Sequence, residues 1–404
     1  MKKIDWLFMI ALFALIGIGI MLVYSATSNT ELVWHKTEWF KQITHFAAGF
    51  AIAAVVILLP AKFWKNIAWV TYAISIITLF LVIDFGHVSK GAGRWLEIGG
   101  FRFQPSEFAK IAYLLTSSLW LSKHSVSIER PKTLLVPALL FIVPFALVLK
   151  QPNLGTSLVF VAITLVHFYW AGFRLVDLFL LVSPVASVIL SATSALYWSL
   201  LIICVFFTSI KFKFPIWIIA TVMILGIGAG YVSQMAWNTM AEHQKSRILT
   251  FIDPTRDPKG EGYQVIQSQI AIGSGGMFGK GFGEGSQTNL AFLPEEHTDF
   301  IFSVLGEQFG FVGASVVLVL FFVLLWRSIM ICRLHSDKFA NLVVAGSCAI
   351  FFFHIFVNIA MTVGFMPVTG LPLPFLSYGG SFVLTCMILV GLLVNMRLKG
   401  GDIK

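Results

Sequence analysis

Apolar runs the length of a bilayer recur along this chain, near 6–26, 42–59, 66–84, 106–122, 133–149, 154–171, 175–192, 196–210, 214–232, 300–325, 339–363 and 378–396. A helix needs about 20 apolar residues to cross the hydrocarbon core. Lipid offers no water to unpaired amides, so segments of this kind must be helices. The runs predict an all-α polytopic membrane bundle of about twelve spans; 196–210 is the shortest and could instead re-enter from one side. Composition agrees: 58% of residues are apolar and 12% charged, against roughly 25% charged in a soluble domain. Trp6, Trp34, Trp39, Trp95, Trp170 and Trp326 sit near run ends, where an amphipathic ring suits the headgroup zone.

A net charge of +9 would ordinarily raise nucleic-acid binding. Its distribution argues for topology instead, because Lys and Arg gather in short loops between runs. With the N-terminus inside, Lys62, Lys65, Lys123, Arg130, Lys132, Arg174, Lys211, Lys213, Arg327, Arg333, Lys338, Arg397, Lys399 and Lys404 all fall inside. Lys90, Arg94, Arg102 and Lys150 are the exceptions; acids accompany the first three. Met1-Lys2-Lys3 before the first run resembles a signal peptide, but the run is longer than the usual core of about 7–15 residues, so a retained first span is expected. Cys204, Cys332, Cys348 and Cys386 show no paired spacing and predict neither a disulfide framework nor a zinc site.

One domain, 1–404, is the simplest organisation. Within it 233–299 is the longest stretch without a span and falls outside in this topology. Long ordered loops are usually functional. Here an amphipathic run (Gln264 to Ile272) precedes Gly-rich turns (Gly273 to Gly285), so the loop is expected to fold back onto the membrane domain.

The loop ends in Glu295-Glu296-His297-Thr298-Asp299, just before Phe300-Ile301-Phe302. A helix start explains one acid, since acids favour the positive end of the helix. It does not explain the whole cluster. Asp299 lies nearest the apolar run, where partial desolvation would make it a better proton acceptor. The glycine stretch matches neither a Walker A loop nor a dinucleotide fingerprint. Its glycines either let amides approach an anion, with Lys280 adding charge, or simply form turns. Gly93-Arg94-Trp95 and Gln104-Pro105-Ser106-Glu107 form a second constellation, with Glu107 and Lys110 one turn apart inside a span. Such ionisable groups face a bundle interior or a polar cavity, or else neutralise each other. His354 and Asn358, at i and i+4, are expected to hydrogen-bond between helices. His45 and His167 are read as structural. The segment Pro372-Leu373-Pro374-Phe375 to Ser377-Tyr378-Gly379-Gly380 lines a cavity or forms a turn. No redox cofactor, haem or fixed metal site is indicated; the outer carboxylates leave room for a loosely held divalent cation, Mg or Mn.

In family order, Gln104-Pro105-Ser106-Glu107, Gln151-Pro152-Asn153-Leu154-Gly155-Thr156, Ile272-Gly273-Ser274-Gly275-Gly276, His297-Thr298-Asp299-Phe300-Ile301-Phe302 and Leu373 to Gly380 resemble the shape, elongation, division and sporulation (SEDS) family of membrane glycosyltransferases. Gly279-Lys280-Gly281, Ser286-Gln287-Thr288-Asn289 and Met366 to Pro372 are more similar to its RodA branch than to its FtsW branch. The resemblance implies a peptidoglycan glycosyltransferase of the bacterial inner (cytoplasmic) membrane, with both termini cytoplasmic, that polymerises lipid II during elongation and rod-shape maintenance. It implies an undecaprenyl-pyrophosphate-linked glycan as donor, and a class B penicillin-binding protein and the elongation machinery as partners. Asp299 would be the general base, with Glu107, Lys110, Arg94, Gln104, Lys280, Glu295, His297 and Ser377 around the substrates. Two departures stand out. Asn153 replaces the family's usual Asp, and 190–230 adds two spans to a family core of ten. A lipid II flippase, a septal FtsW-type polymerase and a scaffold are the rival readings.

Overall fold

The structure, a computed structural model, describes residues 5–27, 37–85, 87–89, 92–98, 101–239, 261–289, 292–333 and 336–399. Twelve of its helices coincide with the twelve apolar runs. They are α1 (Trp6–Thr27), α2 (Glu38–Leu58), α3 (Ala61–Phe85), α4 (Pro105–Lys123), α5 (Leu135–Lys150), α6 (Leu154–Trp170), α7 (Leu175–Thr193), α8 (Ala195–Lys211), α9 (Ile216–Thr239), α12 (Ile301–Met330), α13 (Lys338–Thr362) and α14 (Gly380–Lys399). Between α9 and α12 lie α10 (Glu261–Ser274) and the single turn α11 (Ser286–Asn289). A small antiparallel sheet, β1 (His87–Ser89), β2 (Ala92–Ile98) and β3 (Phe101–Phe103), joins α3 to α4, with His87 opposite Trp95 and Glu97 opposite Arg102. Several helices outrun their apolar stretches, because polar residues such as Glu38 suit a first helical turn.

Among the described residues nine helices are long and apolar enough to cross a membrane, α5 when taken with the 3-10 turn Pro131–Leu134 that precedes it, while α6 and α8 are shorter. The polar character of α4 is turned inward: Ser106, Glu107, Lys110, Thr116, Ser117 and Ser118 are all buried. A helix surrounded by protein needs no apolar coat. α13 and α14, 78% and 72% buried over their spans, form the centre of the bundle, whereas α3 and α12, at 22%, present most of their surface outward. The α7–α9 group carries its own core of Leu180, Val205, Phe214, Ile218 and Val222, separate from the main one. α8 and α9 thus form a satellite against α7.

Alternating helix direction sorts the polar groups to two ends. At one end Asp5 Oδ2 accepts from Arg327 Nη2 (2.7 Å) and Arg397 Nη1 (2.8 Å), Lys65 pairs with Asp337 (3.2 Å), and Lys399 Nζ donates to the carbonyls of Ile57 and Leu58. Lys65, Arg327, Arg397 and Lys399 are among the residues the sequence placed on one side. The other end gathers the starts of α2, α4, α12 and α14, the ends of α1 and α13, and the turn at 292–300.

Candidate functional site

The 292–300 turn is wound around one carbonyl. Glu295 adopts a left-handed backbone (φ 56°), and its oxygen accepts from the amides of Thr298 and Asp299, both at 3.1 Å. Phe300 and Ile301 are buried at once, so Asp299 is the last residue at the rim. The Ser303 amide donates to the Phe300 carbonyl (2.9 Å) and not to the Asp299 carbonyl one residue earlier. Asn358 Nδ2 of α13 reaches it instead at 2.9 Å and also donates to the Leu371 carbonyl at 2.8 Å. A Cβ on Gly370 would stand 3.5 Å from Asp299 Oδ2. The carboxylate therefore lies against the segment that links α13 to α14.

That segment is cross-tied. Ser377 Oγ accepts from the Leu373 amide (2.8 Å), and Gln42 Nε2 of α2 donates to the Ser377 carbonyl (3.0 Å). The Tyr378 amide donates to the His297 carbonyl (2.9 Å), and the Tyr378 ring lies between the rings of His297 and His45, 5.7 and 6.0 Å away. Phe375 is left-handed (φ 65°), as Glu295 is. Non-glycine residues held this way cluster at functional sites. Ser377, expected to touch substrate, is fully buried and its hydroxyl closes this turn.

Beneath the segment lies the α4 charge pair. Pro105 opens α4, the Gln104 amide donates to Ser381 Oγ (3.2 Å), and Lys110 Nζ meets Glu107 Oε1 at 2.8 Å. Lys110 is 0% and Glu107 3% exposed, so the two sit inside protein. Lys110 Nζ also lies 3.1 Å from His354 Nε2 and 5.6 Å from the Phe382 ring centre. An ammonium can only donate, so Nε2 accepts, and His354 carries its proton on Nδ1, which faces the Pro372 carbonyl at 3.1 Å. Among the described residues Glu107 Oε2 has no hydrogen-bond partner.

The glycine stretch forms turns, one of the two readings of the sequence, and these turns pack against another helix. α12 breaks at Gly310 (φ 63°, ψ −160°), and the stretch fills the break. The Lys280 and Gly281 amides donate to the carbonyls of Glu307 and Gln308 (3.0 and 3.1 Å), while the Phe311 and Val312 amides donate to Gly276 and Met277 (2.9 and 3.1 Å). Gly279 (φ 81°) packs so closely that a Cβ would collide with the Gln308 carbonyl. These glycines bring two backbones together, so the Lys280 and Gly281 amides hold a helix rather than an anion. Lys280 Nζ pairs with Glu307 Oε1 (2.9 Å), which also accepts from Ser286 Oγ (3.2 Å) and the Gln287 amide (3.0 Å). Burial, reinforced by the Glu307 charge, pushes Glu296 up to about 8, so it is largely protonated at neutral pH.

Asp299, Glu295 and His297 thus share one turn. Glu107 and Lys110 connect to it through α13. Lys280 belongs to the Glu307 cluster. Arg94 lies in β2, and its side chain is outside the described residues. Asn153 caps α6 by accepting from the Thr156 amide (3.3 Å), a role that needs an oxygen but no charge. His167 accepts from Ser117 Oγ (2.9 Å) through Nδ1 and donates to the Leu342 carbonyl (3.1 Å), tying α6 to α4 and α13. Sequence reading passed over Gln42 and Glu307. Glu307 carried a signal, being an acid inside an apolar run; Gln42, at the edge of one, carried none. Among the described residues no three His, Cys, Asp or Glu side chains come together as metal ligands.

Comparison with known proteins gives a consistent answer. A family model described as FTSW_RODA_SPOVE, cell cycle protein, matches residues 5–206 and 191–400. The peptidoglycan glycosyltransferase RodA of Treponema pallidum is 34% identical over 424 aligned positions, covering 98% of each chain. The peptidoglycan glycosyltransferase MrdB of Escherichia coli K12 is 34% identical, over 98% of this chain and 93% of its own. A solved chain from work on how a peptidoglycan synthase complex coordinates polymerization and crosslinking superposes with a TM-score of 0.73 at 28% identity, covering 98% of this chain and 97% of its own.

Proposed function

Since the chain belongs to the FtsW/RodA/SpoVE family, we propose that it is a peptidoglycan glycosyltransferase that polymerises lipid II into glycan strands during cell elongation. The observation that carries the chemistry is the placement of Asp299, at the mouth of the bundle and fixed through its own backbone.

In this reading Asp299 accepts the proton of the acceptor 4-hydroxyl. The hydroxyl oxygen bonds to the anomeric carbon of the donor strand as that carbon's bond to undecaprenyl pyrophosphate breaks, with inversion. General-base catalysis of this kind is worth about 10²–10⁴-fold. Glu107 and Lys110 are too deeply buried to touch a pyrophosphate; they act on the segment above through His354. Lys280 is engaged by Glu307; in this reading Arg94, singled out from the sequence, would offset the leaving-group charge. The protein would sit in the bacterial inner membrane with its Asp5 end cytoplasmic and Asp299 outside. The synthase complex that contains a similar chain supports a cross-linking transpeptidase, a class B penicillin-binding protein, as partner. A loosely held divalent cation, Mg or Mn, at the outer carboxylates would add to the offset of leaving-group charge.

The test is glycan polymerisation by the purified protein with its transpeptidase on labelled lipid II in detergent. Long strands are expected. No strands, together with lipid II crossing proteoliposomes, would replace the polymerase with a flippase.

A further inference from the structure

Asp299 and the buried pair on α4 lie on different helices, yet both are tied to one turn of α13. Asn358 Nδ2 holds the carbonyls of Asp299 and Leu371 (2.9 and 2.8 Å). One turn earlier, on the same face, His354 Nδ1 holds the Pro372 carbonyl and Nε2 takes Lys110 (both 3.1 Å). Both side chains are fully buried. Three main-chain carbonyls outside regular helix thus receive their donors from two side chains. From this we infer that His354 and Asn358 are positioning residues for the transfer reaction: they set the place of the Asp299 peptide against the Leu371–Pro372 segment and couple it to Lys110 and Glu107. The inference rests on the glycosyltransferase reading with Asp299 as base.

Packing alone would not call for these side chains. Among the described residues Asn358 Oδ1 is buried without a partner, and a buried unpaired acceptor is destabilising. Leucine would fill nearly the same volume without that cost, but would remove the donor that Asn358 supplies to both carbonyls. The amide therefore serves geometry at the expense of stability. His354 is similarly specific. It must accept from Lys110 and donate to Pro372 at once, which a neutral imidazole with its proton on Nδ1 does. An apolar replacement would cut the link to Lys110. A general base must lie within hydrogen-bond reach of its proton, and a misplacement of about 1 Å can cost about 10²-fold in rate.

The test is steady-state polymerisation on lipid II, with thermal melting of the same samples, for wild type, Asp299→Asn, Asn358→Leu, His354→Leu and His354→Gln. Wild-type activity lost in Asp299→Asn secures the underlying reading; its absence in wild type would remove that reading before the positioning claim is reached. The expected result is kcat lower by about 10- to 100-fold in Asn358→Leu and His354→Leu, with KM within about threefold and melting at or above wild type. His354→Gln, which can both accept and donate, should recover most of the kcat. Wild-type kcat in the leucine variants overturns the inference, as does a kcat loss that only follows the unfolded fraction. Should Asn358→Leu fail to fold, Asn358→Gln moves the amide by one methylene: a folded variant with kcat about tenfold lower supports the inference, and wild-type kcat overturns it.

Discussion

Glu296 and Asp299 stand three positions apart in one turn but meet different surroundings. Asp299 remains at the rim, while Glu296 is buried beside Glu307, whose charge Lys280 balances. Its folded-state value, about 8, lies above the ordinary 4.5, so the fold favours the neutral acid. That contribution is fully present below pH about 4.5 and is lost as pH rises through about 8. Melting temperature should therefore fall across this window in wild type and fall less in Glu296→Gln; superimposable profiles would show that Glu296 titrates normally. The sequence made Asp299 legible because an acid next to Phe300 and Ile301 is costly unless used. It could not single out Glu296 from its neighbour Glu295, since the burial of Glu296, and after it the charge of Glu307 nearby, come only with folding.

At the scale of elements, the decisive feature is the break in α12. A helix interrupted at bilayer depth must have its freed backbone groups satisfied by protein, and the 276–281 turn satisfies four of them. Gly279→Ala should cost about 1–3 kcal/mol, since alanine would have to adopt a left-handed backbone against a carbonyl. A lower melting temperature, with Gly283→Ala as the control that meets no neighbour within 4 Å, is the measurement; equal effects would attribute the loss to backbone conformation alone. The glycines were visible in the sequence, but their purpose was not, because the carbonyls they approach belong to another helix. Helices were easier to read, since a lipid-facing run must be both long and apolar; α4 was recognised although its polar residues face protein.

Across the whole molecule the two ends divide the work. The Asp5 end holds α1, α12 and α14 together through one carboxylate and two guanidinium groups, and the Asp299 end carries the candidate chemistry. Asp5→Ala should lower the melting temperature, because two partly buried cations lose their counter-charge, while kcat per folded molecule stays near wild type. A large kcat loss at unchanged stability would instead couple the two ends. This arrangement was largely legible from run lengths and basic loops, because bilayer thickness and charge bias act on any chain. The α13 network was only half legible: His354 and Asn358 stood out as polar residues in a span, but their common dependents, the carbonyls of Asp299, Leu371 and Pro372, could be known only from the fold.

The central claim is that Asp299 is the base of a glycan polymerase. Its most direct test is strand synthesis from labelled lipid II by wild type and Asp299→Ala, each purified with the transpeptidase partner and matched in melting temperature. Wild type should make long strands and the variant none; equal strand synthesis by both would remove Asp299 as the base.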